Sequence, residues 1–227
     1  MWLLPTRNRP DSVKGLIASM EATGDVPTVA VMIDGPHYDI DWPSHWHIYQ
    51  SDEHLELQKA VNWLFERHPN EPFYGALSDH ARVQSPNWSK QLAEIAGNKY
   101  VSLPSAGKDI FHPKTGVRRM SSPCFGGDLI RAIGWLVLPT TVHLYSDDAL
   151  EDICYGLDLV KYEPSVIIHD LSLRDGEVKF DENHKRMWKG ESYVEHDRQA
   201  YIAWKRRMFP SLMTQLKEKL CLQSPAY

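Results

Sequence analysis

Cysteine is scarce. Cys124, Cys154 and Cys221 are spread over 227 residues with no C-x-x-C pair, which argues against a disulfide framework or a zinc–thiolate centre. No stretch approaches the ~18 consecutive apolar residues of a membrane span. The opening Met1-Trp2-Leu3-Leu4 lacks a basic run and reaches Pro5 after three apolar residues, so no secretory signal peptide is expected and a cytosolic location is. There is no internal repeat and no low-complexity tract. Positive charge is also in deficit: 25 Lys and Arg against 30 Asp and Glu give a net charge of −5. A protein that grips duplex DNA chiefly through phosphates carries net positive charge, so any nucleic-acid contact here is confined to a local patch. What remains is ordinary globular composition, 42% apolar and 24% charged, in a chain long enough to bury a core without staples. Eight Trp and eleven His are many for this length, and most of the Trp are expected in the core.

The first hundred residues alternate strand and helix. Leu3-Leu4 reads as a strand followed by the Pro5–Pro10 loop, and Asp11 opens a helix with Val13, Leu16, Ile17 and Met20 on one face, stopped by Gly24. Val29–Ile33 is a buried strand ending at Asp34-Gly35. Residues 36–50 read as a loop with one short strand at most. Ser51 is expected to cap a helix carrying Leu57, Ala60, Val61, Leu64 and Phe65. A strand Phe73–Leu77 leads to Ser78-Asp79-His80, a third helix carries Trp88, Leu92, Ile95 and Ala96, and Tyr100–Leu103 is a fourth strand. That order implies a parallel sheet between helices. Further on, residues 105–122 form a polar, basic loop or hairpin with Lys108, Lys114, Arg118 and Arg119. Helices are expected after Phe125-Gly126-Gly127 and from Ser146, with a short strand Val166–Ile168 ending at His169. The expected division is a domain over 1–180 and a helical C-terminal extension over 181–227 packed on it.

Ligand chemistry collects where parallel strands finish. Asp34 and Asp79 follow two strands, and the Thr6-Arg7-Asn8-Arg9 loop follows a third. Carboxylates there suit a divalent cation, which wants oxygen ligands. An arginine loop leading to a helix N-terminus suits phosphate. The alternative role of such an Asp is to cap the next turn, and that of the arginines is surface solvation. Asp147 and Asp148 open a helix, as a general base held ionised or as plain stabilisers of the helix dipole. Among His37, His45, His47 and His54, the H-x-H pair at 45 and 47 lacks a convincing third zinc ligand, and the cluster reads as a loop near these strand ends. The basic residues 108–119 either steer an anionic acceptor such as DNA or are a solvated loop.

The arrangement resembles the GT-A-type glycosyltransferases, in particular the family 2-like enzymes of the small phage-encoded kind. Leu4-Pro5-Thr6-Arg7-Asn8-Arg9-Pro10 is similar to that group's opening loop. Val31-Met32-Ile33-Asp34-Gly35 is similar to its nucleoside-binding strand end, and Leu77-Ser78-Asp79-His80 stands where its metal motif sits. Phe125-Gly126-Gly127, Gly134, Tyr145-Ser146-Asp147-Asp148, Tyr162-Glu163-Pro164 and His169 follow its second-half order. The resemblance implies an α/β, GT-A-like (Rossmann-like), mostly parallel sheet flanked by helices, with a helical C-terminal tail. It implies transfer of a sugar from a nucleoside diphosphate sugar, a UDP-sugar, to a hydroxyl acceptor. Pro5, Thr6, Arg7, Arg9, Asp34 and Ser78 would hold the nucleotide, Asp79 and His169 would hold Mn2+ or Mg2+, and Asp147, or else Asp148, would be the base. A hydroxymethylated base in phage DNA, modified in the host cytoplasm, is the acceptor considered first, with a glycan as its rival. His80 stands where a second acid is expected, and Leu171 where relatives carry a second histidine. Which of His169 and Asp170 faces a metal stays open. Two other classes remain: a nucleotide-sugar-binding protein without turnover, and a metal-dependent nuclease or phosphohydrolase.

Overall fold

The computed structural model describes residues 1–108, 110–113, 115–171, 175–189 and 191–222. Lys114 and the side chain of Trp188, both noted in the sequence, lie outside the described parts. β1 (Trp2–Thr6) shows how the layers form, because alternate residues of a strand face opposite ways. Leu3 joins one apolar core, and Trp2 and Leu4 join another on the opposite face. β2 (Val29–Asp34) divides likewise, Ala30 and Met32 against Val29, Val31 and Ile33. All its residues are buried, as in a strand covered on both faces. The helices α1 (Pro10–Thr23) and α3 (Trp88–Ala96) cover the Trp2 face. The Leu3 face lies under α2 (Leu57–Arg67), α4 (Gly127–Ile133) and α5 (Ser146–Gly156).

The other strands are β3 (His47–Ser51), β4 (Phe73–Ala76), β5 (Ala81–Val83), β6 (Val101–Ser105), β7 (Cys124–Gly126) and β8 (Val160–Asp170). They form one sheet in the order β3-β2-β1-β4-β7-β6-β8-β5. β3, β2, β1 and β4 are mutually parallel, as are β6 and β8. β7 runs antiparallel to both its neighbours, and β5 runs antiparallel to β8. The sheet is therefore mostly parallel rather than wholly so. β5 and β7 escape the sequence because three residues carry no readable period. Ser51 ends β3 instead of capping α2, which starts at Leu57 after Glu56. β8 is longer than Val166–Ile168 and includes both His169 and Asp170.

The glycine pair at the start of α4 has a packing reason. A Cβ on Gly126 would lie 2.2–2.4 Å from the backbone of Asn98 and Lys99, and one on Gly127 would lie 2.2 Å from the Glu71 carbonyl oxygen. Backbone cannot step aside as a flexible side chain can. Gly126→Ala should therefore destabilise the protein by about 1–3 kcal/mol in urea unfolding. A change below about 0.5 kcal/mol, the usual scatter of surface substitutions, would show that the Asn98–Lys99 turn yields.

Three helices close the chain: α6 (Glu182–Lys189), α7 (Glu191–Arg207) and α8 (Phe209–Lys219). Trp204 of α7 meets Trp135 edge-on at 6.0 Å and Phe209 at 5.4 Å. The buried Asp197 carboxylate accepts the backbone N–H groups of Val142, His143 and Leu144 at 2.7–2.9 Å. Those donors lie just ahead of α5, so α7 fixes how that helix begins. Among the described residues no helix is long and apolar enough to cross a membrane.

Candidate active site

The loop after β1 turns at Asn8, whose φ of 53° is left-handed, a conformation Asn tolerates better than most residues. Arg7 and Arg9 serve different partners on either side of it. Arg7 Nη1 donates to Asp34 Oδ2 at 3.2 Å, and Asp34 Oδ1 accepts the Leu55 N–H at 2.8 Å. His54 Nδ1 stands 2.8 Å from Asp34 Oδ2. Asp34 thus organises the segment before α2 while its carboxylate borders the cavity. Of the four loop histidines considered in the sequence, His54 alone lines that cavity. Neither arginine is merely solvated: their side chains are 29% and 17% exposed.

A chain of hydrogen bonds ties the same loop to the end of β4. The single Thr6 hydroxyl proton goes to Asp79 Oδ2 at 2.9 Å. Tyr38 therefore donates to Thr6 at 3.3 Å while accepting the Arg9 N–H at 3.0 Å. Successive bonds of this kind polarise one another. Arg9 Nη1 reaches Asp79 Oδ1 at 3.3 Å. Tyr38, buried among the aromatics of 36–50, is a site-building residue that no spacing signal marks.

β8 supplies the second acid. Its register opposite β5 pairs Asp170 with Ala81, two residues after Asp79. Asp170 lines the cavity beside Asp79. His169, the expected metal ligand, does not: neighbouring residues of a strand face opposite ways. Its Nε2 instead pairs with Glu177 at 2.7 Å, and its Nδ1 abuts Gly107, where a Cβ would sit 2.5 Å away. His80 also stays outside the cavity, stacked on His184 at 6.3 Å. Burial holds the His80 ring below its ordinary pKa, against the pull of Asp79. Burial raises the Asp170 carboxyl, the Ser121 hydroxyl at 3.3 Å opposes this, and the charge of Asp79 adds to the rise. Among the described residues no group of three or more His, Cys, Asp or Glu is placed to hold a metal. Two neighbouring carboxylates do suit Mg2+ or Mn2+ bound together with substrate phosphates, which complete such sites.

The third part of the site is the N-terminus of α5. Asp147 lines the cavity and pairs with Arg119; Asp148 stands outside it, held by Arg119 at 3.1 Å and His112 at 3.2 Å. Arg119 also reaches Glu151 at 3.0 Å, and Glu151 accepts the Met120 N–H at 2.8 Å. The described part of the basic segment is thus consumed internally. Arg119 clamps α5, Lys108 pairs with Asp175, and Arg118 lies over the rings of Tyr162 and Phe111 at 3.9 and 5.0 Å.

Burial pushes the Glu151 carboxyl from 4.5 up to about 7, with the Met120 amide and Arg119 opposing. A raised acid pKa means the folded chain holds that proton more tightly than the unfolded chain. Its contribution to stability is present below 4.5 and is lost as the pH rises towards 7. Glu151→Gln should flatten the slope of urea stability between those values. An unaltered slope would remove Glu151 as its source.

The C-terminal segment forms the last wall. Asp181 takes Arg9 through Nε at 2.7 Å and Nη2 at 3.2 Å. Burial works against ionisation of Asp181, but Arg9 and the His184 backbone hold the carboxyl well below the usual range. Asn183 donates to the Arg7 carbonyl at 2.7 Å, and Tyr193 donates to Glu56 at 2.9 Å. Asn183, His184 and Tyr193 all line the cavity, whose volume is about 530 Å3. Pro5, Thr6, Arg7, Arg9, Asp34, Ser78, Asp79 and Asp147 are thus brought together, whereas Asp148 and His169 are not. That volume is within the usual range for small-molecule sites.

No protein-family model matches the sequence, and no curated protein matches it. Solved structures do match in fold. GalNAc-T7 with UDP, GalNAc and Mn2+ superposes with a TM-score of 0.59 at 10% identity, over 74% of this chain and 43% of that one. S. aureus TarS 1–349 with UDP-GlcNAc gives 0.58 at 12% identity, over 96% of this chain and 70% of that one. The same fragment with UDP gives 0.54 at 13% identity, over 74% and 58%. The chain therefore spans less than half of the GalNAc-T7 chain. These likenesses establish a GT-A-like α/β fold with a mostly parallel sheet and C-terminal helices, the architecture expected from the sequence.

Proposed function

We propose that the protein is a glycosyltransferase that moves a sugar from a UDP-sugar to a hydroxyl acceptor. The observation that carries this reading is one cavity, in a GT-A-like fold, lined by Arg7, Asp34, Asp79, Asp147 and Asp170 from five separate segments. Fold neighbours holding UDP or UDP-GlcNAc support the choice of donor. Pro5, Thr6, Arg7 and Asp34 take the nucleoside end, with Ser78 beside them. Arg9 also lines the cavity and is the group offered to the diphosphate, where a guanidinium fork suits anionic oxygens. Asp79 and Asp170 would hold a divalent cation, which when bound neutralises charge on the departing diphosphate. Asp147 takes the proton from the acceptor hydroxyl as the new bond to the sugar forms. Arg119, beside it, fixes which way the carboxylate points and opposes the rise in pKa that burial imposes on it.

The finer reading of the acceptor as a hydroxymethylated base in phage DNA has weak support on this surface. Of the residues that suggested it, Lys108, Arg118 and Arg119 already have protein partners.

The test is incubation with a panel of UDP- and GDP-sugars, with and without Mn2+, following free nucleoside diphosphate. UDP release that stops in Asp79→Ala and falls on chelation is expected. Bound UDP without release would favour a non-catalytic binding protein, consistent with Arg9 already neutralising Asp79. Inorganic phosphate in place of UDP would favour a phosphohydrolase.

A further inference from the structure

The cavity has two chemically different halves. Its polar lining comes from the strand ends, the connecting loops and the C-terminal segment. The parts of α2, β7 and α5 that face it are otherwise aliphatic or aromatic: Ala60, Val61, Phe125 and Leu150, joined by Val137 and Leu144 from the α4–α5 connection. On this side the polar lining is His143 and Asp147, with Ser121 and Ser122 just ahead of β7 and the bonded pair Glu56 and Tyr193 at the start of α2. Asn62, nearby on α2, is committed to the backbone of Leu136 and Val137 at 2.7–3.0 Å. Glu151 is committed to Arg119 and Met120.

We infer that this chamber binds the body of the acceptor, and that the acceptor is an alcohol whose hydroxyl is attached to hydrocarbon, alkyl or aryl, rather than a sugar or a nucleoside. The inference rests on the transferase reading and adds the acceptor class to it. A hexose would bring several hydroxyls against walls that are mostly hydrocarbon, and each hydroxyl left unpaired there is costly. A flipped pyrimidine would leave its polar edge unpaired in the same way. Hydrocarbon loses nothing there and gains by leaving water. Asp147, at the junction of the halves, is placed to meet a hydroxyl at the polar end of such a molecule.

The test uses the full chain and separates donor from acceptor. UDP affinity is measured by calorimetry. The chamber is probed with the neutral fluorophore phenylnaphthylamine and its displacement by n-octanol. UDP release from a UDP-sugar is then followed with n-octanol, a methyl glycoside or a hydroxymethylpyrimidine nucleoside as acceptor. Fluorophore binding, displacement by n-octanol and faster UDP release with n-octanol are expected. Ala60→Phe, which fills the chamber from α2, should weaken fluorophore binding about tenfold or more, the scale of one lost well-packed contact, with UDP still bound. Should that variant not fold, Val137→Asp places a charge in the chamber from the α4–α5 connection and carries the same expectation. Stimulation by the glycoside or the nucleoside without any by n-octanol overturns the inference, as does fluorophore binding that neither variant weakens. Failure of the transferase reading would show separately, as absence of UDP binding while the chamber still takes the fluorophore.

Discussion

Replacing Asp147 with asparagine should slow sugar transfer by roughly a hundred- to ten-thousand-fold, the usual worth of a positioned general base, while UDP still binds. The amide keeps the size and removes the ability to take a proton. Asp147 lines the cavity from the first turn of α5, and its tie to Arg119 fixes which way it points. Asp148 is the control built into the chain. It shares Arg119, but it is held by His112 outside the cavity. Asp148→Asn should cost far less in rate and should act through the clamp rather than the chemistry. Measuring kcat and the KM for donor in both variants separates the two acids. Equal losses would mean that the pair serves only to anchor the 105–122 segment, and the base would have to be sought elsewhere.

The second large effect is on stability. Asp197→Ala should cost roughly 3–5 kcal/mol, because it takes the acceptor from three backbone N–H groups at once. The carboxylate is fully buried and gathers Val142, His143 and Leu144. Burial disfavours its charge, yet those amides, with His196, hold its pKa below the ordinary 3.8. A depressed acid contributes stability above its unfolded value and loses it as the pH falls through the folded one. Wild-type protein should therefore be weakened by acid below about pH 4, and the alanine variant should lose less over the same range. Asp197→Asn keeps one acceptor oxygen and should fall between the two. Urea titrations of all three at neutral and acid pH test this. Because the same amides lead into α5 through Tyr145, whose φ is 61°, a soluble Asp197 variant should also lose kcat more than donor affinity.

Where sequence and structure agree, the signal was local. The strand ends carrying Asp34 and Asp79 lie where alternating strands and helices place them, and so do the apolar faces of α1, α2 and α3. Gly24 and Gly134 end their helices in left-handed conformations, with φ of 70° and 89°, as the pattern implied. What was not legible was set by pairing between distant segments. Nothing next to Asp79 announces that its companion acid is Asp170, since that depends on the register of β5 against β8. The same register turned His169 away. The basic stretch looked available because its acidic partners, Asp147, Asp148, Glu151 and Asp175, are remote in sequence. Asp197 gave no sign at all, since a single acid in a polar helix is indistinguishable from a solvated one until its partners are seen.

The tie between Arg9 and Asp181 spans 172 positions, and that from Arg7 to Asn183 spans 176. At synthesis rates of about 5–20 residues per second, the chain that opens this site waits roughly 10–30 s for the chain that closes it. Until then Arg9 lacks its Asp181 partner, and the cavity lacks the wall that Asn183, His184 and Tyr193 supply. Maturation of the cavity is therefore a late, long-range event, of the kind that slows folding most. Ligands that bind across that wall would act on the newborn protein as well as on the finished one, by favouring the last docking step.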